Sequence, residues 1–218
     1  MMVSRFAACG AGLLLAWASP AFAASPAVQA AETSVYLGAG VMHSQYHENL
    51  TPGDDESGYT PGFSVGASVL LPMRPADLAN PDFYAALNYD FNAGNITYAG
   101  HYQAIDGGAP LQATDRAVFN RIEVRLGIGV PLAGGGEAIP FIAGGYQAWN
   151  RNIDSPMTVN GGEFYHTGLF GAGMKFDQPL GRLLVASVTG EVFGLAGGGI
   201  TNPQIGGGQS FGRGFGVT

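Results

Sequence analysis

Large apolar residues recur at every second position in repeated runs along the chain, with small or polar residues between them. Phe63-Ser64-Val65-Gly66-Ala67-Ser68-Val69 shows the pattern plainly. From Phe83 to Asn92 it puts Phe83, Leu87, Tyr89 and Phe91 on one face and Asn88, Asp90 and Asn92 on the other. From Val118 to Val130, Ile122, Val124, Leu126, Ile128 and Val130 oppose Arg121, Glu123 and Arg125. A period of two is that of a half-buried strand. Ser34 to Tyr46, Ile139 to Asn150, Phe164 to Phe176 and Leu183 to Phe193 follow the plan with more glycine. Phe211 to Val217 is a shorter last candidate. The prediction is about eight antiparallel strands, the last one short or incomplete.

The connections alternate between two kinds. Pro131 to Glu137 and Asp177 to Gly181 are tight turns, whereas the opposite connections are longer and rich in Gly, Asn and Asp. Short turns at one end and long loops at the other are the asymmetry of outer-membrane barrels. A sheet with one apolar and one polar face has two homes, a soluble sandwich or a barrel in lipid. Three features favour lipid. The runs match the roughly 9–11 residues of a membrane-crossing strand. Aromatics such as Tyr36, Tyr59, Phe83, Trp149 and Phe176 sit near run ends, as in interfacial girdles. The polar face carries both signs in one strand, and in a narrow lumen such charges must pair. The expected fold is therefore all-β: a closed, antiparallel, up-and-down transmembrane β-barrel.

Composition agrees. Only 11% of residues are charged while 46% are hydrophobic, too little charge to cover a soluble surface comfortably. The 36 glycines argue against helices. Beyond the first residues no apolar stretch approaches the roughly 18 residues of a membrane helix. Acids outnumber bases 16 to 9 and no basic block tracks a phosphate backbone, so no nucleic-acid partner is expected. The chain's one cysteine, Cys9, lies in the leader, which leaves no thiol for a disulfide, metal site or nucleophile.

Arg5, the apolar run from Phe6 to Trp17, Pro20 and Ala21-Phe22-Ala23 make a secretory signal with a small-x-small cleavage site. The apolar run is too short for a retained anchor, and too little of it precedes Cys9 for a lipoprotein signal. The expected organisation is a cleaved signal over residues 1–23, a linker over 24–32 and a barrel over 33–218, located in the outer membrane.

The segment Pro140-Phe141-Ile142-Ala143-Gly144-Gly145-Tyr146-Gln147-Ala148-Trp149-Asn150-Arg151 resembles a strand of the small outer-membrane barrels similar to the OmpA transmembrane domain. With the signal and the strand spacing, the likeness extends over most of residues 33 to 218. The resemblance implies outer-membrane lipid as surroundings, a monomer, and the barrel-assembly machinery as partner during insertion. Such barrels usually finish on a full strand with an aromatic end. Gly216-Val217-Thr218 departs from this, so the expectation is a short, atypical last strand or a C-terminally truncated sequence.

Asp90, Arg121, Glu123, Arg125 and Glu191 are expected to share the lumen as a structural ion-pair network, since a barrel of about eight strands has little free interior. His166, counted to lie opposite Glu191 to Phe193 with Ser187 nearby, holds the residue types of a lipid-cleaving site. Alternation nevertheless places His166 outward and Glu191 inward, which favours an interfacial histidine. The run His47 to Gly58 holds four acids without a cation-loop spacing and is expected to be a solvated external loop. Gly134-Gly135-Gly136, Gly197-Gly198-Gly199 and Gly206-Gly207-Gly208 are expected turns and loops, and Asn95-Ile96-Thr97 is only a formal glycosylation acceptor. The expected function is non-enzymatic, with a structural or surface-contact role and no catalytic residue, cofactor or metal. A narrow channel for small solutes is the alternative, followed by a lipid-modifying enzyme and a soluble secreted sandwich.

Overall fold

A computed structural model describes residues 24–48, 53–73, 81–101, 108–154, 162–202, 207–211 and 215–217. The signal read at residues 1–23 lies outside them. A helix α1, Pro26–Glu32, precedes the strands β1 Ser34–His47, β2 Asp55–Pro72, β3 Asp82–His101 and β4 Pro110–Pro131. Then follow β5 Glu137–Arg151, the two-residue β6 Ile153–Asp154, β7 Glu163–Pro179, β8 Val185–Asn202, β9 Gly207–Phe211 and β10 Phe215–Val217. Every pairing is antiparallel, and the strands form one sheet in the order β1-β2-β3-β4-β5-β7-β8-β10. The chain is thus an all-β, up-and-down sheet of eight main strands. Among the described residues no strand pairing joins β1 to β8, β9 or β10.

The sheet is strongly curled. Glu56 on β2 bonds Arg151 on β5, Tyr46 on β1 meets Trp149 on β5, and Arg121 on β4 reaches Glu191 on β8. Side chains from strands three and four places apart therefore meet over the concave face. Small residues on that face make the room. A methyl on Gly66 would fall 2.6 Å from the Tyr36 ring, and one on Gly173 would fall 2.4 Å from that of Phe141, so each ring lies over a bare backbone.

Leu87, Val124 and Val188 decide which face is which. They are 49%, 46% and 60% exposed, so no second sheet covers them. The convex face carries a continuous apolar band including Phe63, Leu126, Ile142, Phe170 and Val192. On β4 this band is the row Ile122 to Val130, and on β2 it runs from Tyr59 to Leu71.

The strands run well past the apolar alternation. β2 begins at Asp55 and β3 continues to His101, beyond the expected Phe63 start and Asn92 end. Ladder hydrogen bonds are made by the backbone and need no alternating side chains, so pairing persists where the pattern fades. Both ends of the expected loop His47 to Gly58 are accordingly strand, at His47 and from Asp55 to Gly58, with His47 facing Asp55, while residues 49–52 lie outside the described residues. Gly197-Gly198-Gly199 is strand as well. It sits at the register shift near Thr167 and Gly168, where Gly197 takes φ +59°. Gly134 and Gly135, at φ +80° and +78°, do form the tight β4–β5 turn.

Residues 24–32 are not an extended linker. Ser25 caps α1 by accepting from the Val28 N–H at 3.2 Å, and Pro26 occupies its first turn. Val28 is fully buried in a cluster with Ala24, Leu70, Tyr84, Ala86 and Ile139. The helix holds on because the curl leaves an apolar hollow at the short-turn end, which an extended polar chain could not fill.

Candidate functional site

The concave face is polar because period two sends every second residue of each strand inward. Arg121, Glu123 and Arg125 stand one above another on β4, and Glu191 comes from β8. Arg121 binds Glu123 and also reaches Glu191 Oε1 at 3.2 Å. Arg125 donates to Glu123 Oε1 at 2.6 Å and to Glu191 Oε2 at 3.0 Å. Two guanidiniums and two carboxylates thus close a four-membered lattice, with Glu123 and Glu191 both buried. Phe193 and Phe141 place their rings 4.9 and 4.7 Å from the Arg121 and Arg125 guanidinium carbons. Each cation is shielded by an aromatic face as well as neutralised.

Asp90 joins this layer differently. It pairs with Arg121 in register, yet the bond it accepts is from the Ser64 hydroxyl. Four of the five residues expected to meet are therefore in direct contact, and the fifth lies beside them on its own partner.

A second charged layer lies nearer the long-loop end, beyond the apolar band. Arg151, at the end of β5, binds Glu56, donates to Glu163 Oε2 at 2.7 Å, and comes within 3.9 Å of Asp54. Tyr98 donates to Asp54 at 2.8 Å and Tyr165 to Glu163 at 2.8 Å. Asp115 accepts from the Asn152 backbone at 2.6 Å. Burial pushes the Glu56 carboxyl up to about 8, Arg151 opposing and Asp115 adding to the rise. Burial likewise raises Asp115. For Glu163 burial acts upward too, but Arg151 beside it holds the carboxyl below the ordinary range. Sequence reasoning missed this layer. Glu56 fell in an expected loop, and Arg151 lies one residue past the expected strand end. Continuing the period from Gln147 through Trp149 would have turned Arg151 inward.

At the opposite end Lys175 binds Glu32 of α1 and lies 3.7 Å from Asp177, which accepts from Ser187 at 2.5 Å. The concave face is thus crossed by three tied layers.

The grouping of His166 with Glu191 and Ser187 is not assembled. His166 pairs with Gly199, while Glu191 pairs with Gly173 and Ser187 with Asp177. The offset arises because β7 runs on to Pro179 and the hairpin turns after it, with Pro179 paired to Val185, so the partner of His166 moves toward the long-loop end. His166 stacks with Tyr146 and Phe164 on the convex side, at centroid distances of 6.4 and 5.6 Å. Among the described residues no cluster of His, Cys, Asp and Glu is arranged to hold a metal.

Between the arginine layers lies a cavity of about 390 Å³. Trp149 forms part of its wall, stacked between Phe119 at 5.5 Å and Tyr165 at 4.9 Å, with Tyr46 edge-on at 5.5 Å. No protein-family model, curated protein or solved structure matches the chain.

Proposed function

We propose that the chain is an exported outer-membrane β-barrel whose role is structural, with its long-loop end presented to the surroundings. In this reading the curled sheet closes on itself, since hydrocarbon does not tolerate open strand edges. The carrying observation is the apolar convex band, with Leu87, Val124 and Val188 all about half exposed while the charged residues turn inward. Water would meet this band as an apolar patch far beyond what a soluble monomer ordinarily shows. Acyl chains meet it at no such cost.

The interior supports a wall element over a channel. Solutes would have to pass the Arg121–Glu123–Arg125–Glu191 lattice and then α1, whose Val28 is packed into the short-turn mouth. Conductance across planar bilayers is the discriminating measurement, and steady unitary currents would replace this reading with the narrow channel. Location is tested by fractionation together with gel migration before and after boiling. The expected result is recovery in the outer-membrane fraction and a heat-dependent shift. Recovery from the periplasm without detergent would sink the proposal.

A further inference from the structure

We infer that the cavity between the two arginine layers is a binding site for a small neutral molecule with a ring-sized apolar body. This goes beyond the structural role and rests on the interior alone. Its volume of about 390 Å³ lies in the range of small-molecule sites, roughly 300–1,000 Å³. Barrels of about eight strands are either filled by side chains or able to hold one small ligand. Here the concave face is filled above and below and left open between.

The lining sets the chemistry. Met42, Ile96, Phe119, Trp149 and Tyr165 give an apolar, largely aromatic wall suited to a flat ring. The unpartnered polar atoms of its lining residues, Ser44 Oγ, Glu56 Oε2, Trp149 Nε1 and His166 Nδ1, are themselves closed off from the space, so the aromatic and aliphatic wall is what a ligand meets there. Charge excludes an anion. The guanidiniums of Arg121 and Arg125 at the cavity's edge are already committed to Glu123 and Glu191. Asp90, a further carboxylate at the edge whose partner is the uncharged Ser64 hydroxyl, would repel it.

Two residues make the site testable. Trp149 and Trp17 are the chain's two tryptophans, and Trp17 lies in the signal that export would remove, so the exported protein holds its sole indole reporter in the cavity wall. Gly40 lines the cavity, and a methyl built on it meets nothing within 4 Å, so Gly40→Leu fills the space without backbone conflict. The experiment titrates acetophenone, a neutral aromatic ketone, into the exported protein in detergent micelles and follows tryptophan quenching. Toluene and benzoate serve as a second neutral ring and a ring with a negative charge. Both are followed by competition against acetophenone.

Saturable quenching by acetophenone is expected. Gly40→Leu should abolish saturation and leave only the linear quenching of micelle partitioning. Toluene should compete, and benzoate should not. Should Gly40→Leu lose the heat-dependent gel shift and so prove unfolded, the smaller, β-branched Gly40→Val carries the decision. Quenching that is linear in the parent, saturation unchanged in the folded Gly40 variant, or benzoate competing as well as toluene would each overturn the site.

Discussion

Arg121 and Arg125 depend on the same two carboxylates, one from their own strand and one from β8. Replacing Glu191 with Ala leaves both guanidiniums with half their partners in a buried setting. A buried pair broken from one side costs about 3–5 kcal/mol, so the urea midpoint of the folded gel band should fall by that equivalent. An unchanged midpoint would mean that water compensates the lattice freely. Glu56 makes a second prediction, of opposite character. Its folded carboxyl titrates near 8, above the ordinary value, because burial favours the neutral form. The stability it contributes is therefore complete below the ordinary carboxylate range and is lost as pH rises through about 8. Thermal midpoints measured between pH 6 and 9 should decline, and Glu56→Gln should flatten the decline. At this scale much was legible in the sequence. A period of two suffices to turn Arg121, Glu123, Arg125, Asp90 and Glu191 to one face. It does not say which atoms touch: the Ser64 partner of Asp90 depends on the β2–β3 register, and the cross-sheet reach to Glu191 on the curl.

At the scale of elements, α1 is the part least visible beforehand. Its Ser25-Pro26 start is an ordinary helix signal, but seven residues are too few to be stable alone. Tertiary packing supplies the rest, through Val28 in its apolar hollow and Glu32 on Lys175. Val28→Asp should unseat the helix by burying an unpaired charge. Limited proteolysis would then cut within residues 24–32 while the sheet stays intact. Resistance equal to that of the parent would show that the helix is held by other contacts. The strands were legible in number and direction but not in length. Their apolar rows end where the convex band ends, whereas the hydrogen-bonded ladders continue through Asp55 to Gly58 and Ala93 to His101, beyond the band.

For the whole molecule the convex face is decisive, because lipid and water would answer a charge placed on it differently. Leu126 lies at the middle of its apolar row and is 46% exposed. Arg in its place should cost about 2–4 kcal/mol if the band faces the middle of a bilayer, measured by unfolding from lipid vesicles. On a water-facing surface the same change would be close to neutral. The sequence carried this far because alternation and scarcity of charge are both properties of a two-faced sheet. Closure was not legible, since it depends on which edges meet. Ala186 to Gly190 of β8 are exposed along the strand, and β10 pairs with β8 only at Val192 to Gly194.

The ion pair between Glu32 and Lys175 spans 143 positions of chain. Synthesis delivers α1 first, yet its seat is built from Leu70, Tyr84, Ile139 and Val185, so the helix has nowhere to dock until β8 is in place. Loop closure over such a distance is slow to be rewarded. The helix therefore docks only after β7 and the start of β8 have formed, and until then its apolar hollow faces water.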